Sequence, residues 1–184
     1  MVNYESQLVQ IIEDDDYIMS VLKAVEKLQL NDTWISAGLI RNRVWDHLHN
    51  ENTPINDIDV IYFDSIDTSL KIEKVLERKL ESLMPEQPWS VKNQARMHVK
   101  NVFDCFNSSY EGVAHFPETP TAIAVRIYKY DIEIIAPYGL EDLFRKIVNP
   151  TPYFRNNTKL HSVYSECMKE KNWNEIWGGL SIKS

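Results

Sequence analysis

Asp57 and Asp59, spaced Asp-x-Asp in the stretch DIDVIYF, are the first residues of this chain that suggest chemistry. Strand side chains alternate between faces, so this spacing aims both carboxylates one way and Ile58, Val60 and Tyr62 the other. Two acids beside a core are costly unless they are paired or hold a cation. Hard divalent ions, Mg²⁺ or Mn²⁺, take carboxylate oxygens, keep waters, and draw their remaining ligands from substrate phosphates. Two such ions roughly 3.5–4 Å apart activate a hydroxyl nucleophile and stabilise the leaving oxygen. A third acid from a neighbouring strand would complete the cage, and Asp131-x-Glu133 is the second such pair on a strand-like run. Glu133 lies between Ile132 and Ile134, whereas Asp131 borders a turn expected at Lys129-Tyr130. Glu133 is therefore the expected third ligand and catalytic acid, with Asp131 in reserve. The same spacing also suits strand-end acids paired with arginine or lysine. Glu13 to Asp16 reads as capping chemistry before a helix.

Gly38 follows the short apolar run Trp34-Ile35-Ser36-Ala37, where a strand must turn into a helix. Glycine permits a sharp turn and a close ligand approach. The N–H groups at the start of the following helix would bind phosphate, with Arg41 and Arg43 in its first turns. Ile40, Val44, Trp45 and Leu48 recur at helical spacing, which puts Arg41, Asn42, Arg43 and Asp46 on the opposite face. No G-x-x-x-x-G-K-[ST] or G-x-G-x-x-G occurs, so P-loop and Rossmann readings lack a motif. His47 and His49 point in different directions on that helix and make no metal pair. His98 closes a polar stretch with Lys92, Asn93, Gln94 and Arg96, and no G-x-S-x-G is present.

The elements that must position these residues follow in order. Two helices, or one broken one, are expected over residues 4 to 30. A strand, a helix and the Asp57–Phe63 strand come next, then a helix ended by Pro85 and Pro88, and a short strand from Trp89 to Ala95. Thr121 to Pro137 predicts a hairpin, and Leu140 to Val148 a short helix. A C-terminal helix carries Leu160, Val163, Tyr164, Cys167 and Met168, with Trp173 and Trp177 anchoring the tail. The region from Met97 to Pro120 has no clear pattern. The fold class is α+β or α/β: a mixed sheet of four to five strands flanked by helices. One domain is expected, with N-terminal helices over 1–30, a core over 31–150 and a helical extension over 151–184.

With 184 residues, 43% of them apolar, the chain can bury a substantial core. Its net charge of -7 argues against general nucleic-acid binding. Cys105 and Cys167 lie far apart without C-x-x-C spacing, so neither a disulfide framework nor zinc is suggested. The N-terminus lacks a signal-peptide pattern and no apolar run reaches membrane-spanning length, so a cytoplasmic location without membrane contact is expected.

The series AGLIRNRVWD, NDIDVIYFD, WSVKNQARMH, ETPTAIAVRI and IEIIAPYGLEDLF, from about Trp34 to Pro152, resembles a family of bacterial nucleotidyltransferase-like proteins. That family is related in fold to the DNA polymerase beta nucleotidyltransferase superfamily. The resemblance implies a strand-glycine-helix element at Gly38, metal-binding acids at Asp57 and Asp59, and a third acid on an adjacent strand. Where the superfamily usually carries Gly-Gly or Gly-Ser, Gly38 is followed by Leu39. WSVKNQARMH looks like a signature of the family itself, with Lys92 and Arg96 as candidates for substrate phosphate. The implied activity moves a nucleoside monophosphate from a nucleoside triphosphate to an acceptor hydroxyl on a small molecule, an RNA or a protein. The alternatives are an inactive nucleotide-binding or regulatory module of the same fold and, more distantly, a metal-dependent phosphohydrolase.

Overall fold

The structure, a computed structural model, describes residues 2–101 and 103–183. Helices α1 (Tyr4–Glu13) and α2 (Asp16–Glu26) precede strand β1 (Trp34–Ser36) and helix α3 (Gly38–His49). Asp15 caps α2 by accepting from the Ile18 N–H at 2.9 Å. Strand β2 (Ile58–Tyr62), helix α4 (Leu70–Leu83) and strand β3 (Trp89–Asn93) make a parallel crossover unit. A 3₁₀ helix (Gln94–Asn101) and helix α5 (Ser109–Ala114) fill the region without sequence pattern.

Strands β4 (Ala124–Tyr128) and β5 (Asp131–Ile135) form the expected hairpin. Lys129 and Tyr130 both have positive φ, as a two-residue turn that matches the strand twist requires. The run after Gly139 divides into helix α6 (Glu141–Phe144) and strand β6 (Ile147–Val148), so the helix is shorter than its periodicity suggests. Lys146, at φ 59°, breaks it. Helices α7 (Pro152–Arg155), α8 (Thr158–Glu170) and α9 (Trp173–Ile176) follow, and strand β7 (Ser181–Ile182) pairs in parallel with β6.

The five-stranded sheet runs β3-β2-β1-β4-β5, parallel only between β2 and β3. On one face Ile35, Ile58, Val60, Tyr62, Val91 and Val125 pack with the first four helices in the main core. Trp34, Ile61, Ala124 and Ile135 share a smaller cluster with Val113 and Ala122 on the other face. The second face is only partly covered, and Asp59 lies on it by alternation.

The C-terminal segment covers the supposed polar face of α3. Arg41 and Asp46 are buried there, while Leu48 is exposed. Asp46 accepts from Trp177 Nε1 at 2.8 Å and from the Thr53 N–H at 3.0 Å. Trp173 and Trp177 meet Trp45 edge-on, with centroids 5.3 and 5.2 Å away. No helix among the described residues is long and apolar enough to cross a membrane. Trp177→Ala removes a buried indole and the donor that satisfies Asp46. The expected loss is about 3–5 kcal/mol, or roughly 10 °C in the melting midpoint by calorimetry.

Candidate functional site

Asp57 and Asp59 enter the site from the start of β2. Asp57 is exposed just before the strand, and Asp59 is half-buried within it. They are close enough to interact. Burial first, then the charge of Asp57, raises the Asp59 carboxyl above the ordinary 3.8, while a Ser90 hydrogen bond and Lys92 pull it down. Ser90 is level with Asp59 on β3, and Lys92 shares that face two residues on. Among the described residues neither aspartate has a cationic side chain within 4.0 Å. Asp59 opens into a cavity of about 320 Å³ lined by Ser36, Lys92, Gln94, Phe103 and His115.

Gly38 begins α3 beside this pair. A Cβ built there would lie 3.7 Å from Asp57 Oδ1 and 3.8 Å from Arg41 Nη2, ordinary contact distances. Gly38 itself has no positive φ. The strained residue is Ala37, at φ 58° and ψ -122°, a conformation suited to glycine. The sharp turn expected at Gly38 is thus made one residue earlier. The Ala37 N–H donates to Ile123 O at 3.1 Å, tying the turn to the segment before β4. Among the described residues no side chain caps α3, so the N–H groups of its first turn, beside Asp57, have no side-chain acceptor.

The other candidates separate. Arg41 is 7% exposed, and its guanidinium lies 4.1 Å over Trp173 and 5.2 Å over Trp45. Nη1 donates to Thr121 Oγ1 at 3.0 Å, and Nε and Nη2 donate to Asn42 Oδ1. Burial pushes its pKa down to about 10, opposed by Glu118 and Asp57, so it stays cationic at neutral pH. Arg41 backs the site from inside the protein. Arg96 is turned away and grips buried Glu73 through Nε and Nη2 at 2.8 and 2.6 Å.

Glu133 does not join the aspartates. Asp59, Ser36, Ala124 and Ile135 form one row across the sheet, so the β5 residue level with Asp59 is Ile135. Three strand spacings separate β2 from β5, about 14 Å. Glu133, 39% exposed, accepts from Arg126 Nε and Nη2 at 2.7 and 2.6 Å. Asp131 lies further along, opposite Tyr128 at the turn. The shared face was read correctly, but strand order puts β1 and β4 in between. Among the described residues no group of three potential metal-ligating side chains forms. Gln94 belongs to the polar stretch that the sequence singles out, whereas Ser90, His115 and Ala37 are not candidates there. Of these, only Ser90 carried a signal, through its alternation with Lys92.

An open mixed sheet with a strand-turn-helix element beside an Asp-x-Asp strand is the frame of a nucleotidyl-transfer protein. The chain belongs to the Nucleotidyltransferase family, whose model matches residues 23–182. A protein whose NMR structure is described as revealing a CCA-adding enzyme head domain is 34% identical. The match covers 97% of this chain and 95% of that one, with a TM-score of 0.86. The Bacillus stearothermophilus CCA-adding enzyme in complex with CTP is 17% identical, with a TM-score of 0.50 over 82% of this chain and 38% of its own. That likeness is one of fold. Among curated proteins no sequence match is found.

Two outcomes follow for the metal-free protein. Because the folded Asp59 holds its proton more tightly than the unfolded chain, stability falls as pH rises from 3.8 through the raised folded value, and the penalty persists above it. Asp59→Asn should therefore melt higher than wild type at pH 7 in chelator, and the difference should vanish at low pH. Ala37→Gly relieves a strained φ but adds unfolded-state entropy, a net gain of roughly 1 kcal/mol, read as an upward melting shift of about 2–4 °C.

Proposed function

We propose that this chain is a Mg²⁺- or Mn²⁺-dependent nucleotidyltransferase that moves a nucleoside monophosphate from a nucleoside triphosphate to an acceptor hydroxyl. The observation that carries the reading is the Asp57/Asp59 pair, without an ion-pair partner among the described residues and beside the start of α3, which no side chain among them caps. Two oxygen-donor carboxylates in mutual repulsion suit a hard divalent cation that takes its other ligands from water and phosphate. When bound, such a cation neutralises phosphate charge and lowers the barrier to deprotonating the acceptor hydroxyl.

The chain's own groups do the rest. Asp57 and Asp59 hold the cation. The N–H groups of the first turn of α3 receive the outer phosphates, and Gly38 leaves room for them next to Asp57. Arg41 adds a buried positive charge behind that turn, and Lys92 stands beside Asp59. The acceptor oxygen bonds to the α-phosphorus, the bond from that phosphorus to the α–β bridging oxygen breaks, and pyrophosphate leaves. The hydroxyl proton passes to water, since no third carboxylate stands by the pair among the described residues. The same shortage favours a second reading, a module that binds nucleotide without turnover.

Incubation with each α-labelled triphosphate, Mg²⁺ and cell extract should give a labelled acceptor and pyrophosphate. Asp57→Asn and Asp59→Asn should each cut transfer by about 10²–10³-fold. Saturating Mg²⁺-triphosphate at a hundred times its dissociation constant should stabilise wild type by about 2.7 kcal/mol, and the double variant not at all. Stabilisation without a labelled acceptor would favour the binding module, and release of inorganic phosphate alone a phosphohydrolase. An equal melting shift in the double variant would place the site elsewhere.

A further inference from the structure

The cavity at Asp59 does not end there. Its walls Phe103 and His115 also border a second groove of about 720 Å³ that runs on to Tyr153 and Asn157. Each of the two falls in the size range of small-ligand sites. The shared wall is aromatic. His115 stacks on Tyr153 with centroids 3.7 Å apart, and lies 4.5 Å from Phe103 and 4.7 Å from Phe106. His115 caps the end of α5 and Tyr153 lies in α7, so two segments distant in sequence converge on one cluster of rings.

Apart from Lys92 beside Asp59, the polar side chains on the wall toward the rings include the uncharged amide of Gln94. Gln94 is 3% exposed, and its side chain makes a single hydrogen bond among the described residues, Nε2 to Lys92 O at 3.5 Å. A Cβ built on Gly112 would sit 2.3 Å from Gln94 Oε1, so glycine is what leaves this amide its place at the cavity wall. Among the described residues Lys92 is the single lysine or arginine lining either space, against Asp59, Asp104 and Glu111. A nucleic-acid strand needs cations along its phosphates, and among the described residues this surface offers Lys92 alone, beside Asp59. A flat, uncharged heterocycle suits it better, with faces for stacking and edges that an amide can read.

We propose that this aromatic groove is the nucleobase pocket, where the base of the triphosphate stacks while its phosphates reach Asp57, Asp59 and the start of α3. The inference rests on the nucleotidyltransferase reading of that site. Gln94 and His115 are its inner wall, and Tyr153 is its outer one.

Calorimetric titration in Mg²⁺ with inorganic tripolyphosphate and with ATP, GTP, CTP and UTP separates the base from the phosphates. Wild type should bind at least one triphosphate roughly tenfold or more tighter than tripolyphosphate. Tyr153→Ala removes a ring that is 43% exposed and leaves the core alone, and Gly112→Ala drives Gln94 into the cavity. Loss of the excess in either variant, with tripolyphosphate affinity held within about twofold, supports the pocket. Retention of the excess in both variants overturns it, as does wild type binding triphosphates no better than tripolyphosphate. Both of those results leave the phosphate site standing. Joint loss of tripolyphosphate binding in the variants marks a merely structural role and also overturns the pocket. Wild type that binds neither ligand overturns the nucleotidyltransferase reading, and the pocket with it.

Discussion

A buried guanidinium holds the rest of this structure in register. Arg41 lies inside the protein between Trp45 and Trp173, bonded to Thr121 and Asn42 and in the field of Glu118 and Asp57. Removing a charge from water costs several kcal/mol unless surrounding groups offset it. The offset here comes from four separate parts of the chain. Helix α3 supplies Trp45 and Asn42, the segment before β4 supplies Glu118 and Thr121, the start of β2 supplies Asp57, and the C-terminal segment supplies Trp173. Lys171 closes the ring, donating to Glu118 at 2.6 Å and lying 4.5 Å from the Trp173 ring. The turn at Ala37 and Gly38 is therefore backed by residues more than a hundred positions away in sequence.

The burial of Arg41 marks a limit of reading periodicity. Helical spacing assigned Arg41 and Asp46 to a polar face, and that assignment follows from α3 taken alone. The tail that covers this face is recognisable only as a pair of tryptophans four apart. Which surface they would cover is a matter of tertiary packing. Strand alternation succeeded where it depended on neighbouring residues. Asp59 shares a face with Ile61, opposite Val60 and Tyr62, and Glu133 does lie on the Asp59 side of the sheet. The failure at Glu133 comes from strand order. Two acids on one face meet only if their strands are adjacent and in register, and β1 and β4 stand between. The hairpin turn, the first two helices and the strand-turn-helix element were legible because each is set by local chemistry. The aromatic wall at Phe103, His115 and Tyr153 was not, because α5 and α7 bring it together across about forty residues of chain.

The turn into α3 shows how strain and site are connected. A residue with a Cβ at φ 58° is held there by its surroundings. At Ala37 those are the bond to Ile123 O and the buried first turns of α3 behind it. A relaxed turn would swing the helix start away from Asp57. The strained one starts the helix beside Asp57, and among the described residues no side chain caps it. Favourable binding partners for that helix end are anions, which the two aspartates, standing alone, would repel.

On the proposed function, one ligand would meet both of these opposed preferences. The aspartates favour a cation, the helix start favours an anion, and the two lie side by side. Neither preference is satisfied by another part of the protein: the aspartates lack ion-pair partners among the described residues, and Lys92 and Arg41 act on them only at longer range. A metal-bound polyphosphate carries both charges in the required order. In the proposed function Asp57 and Asp59 would hold its cation and the start of α3 its phosphate, so one ligand would offset the burial and repulsion that raise Asp59 and would cap the helix as well. A free metal ion would relieve the first alone, and a free phosphate the second alone. The proposed site would therefore bind the two together more tightly than either by itself.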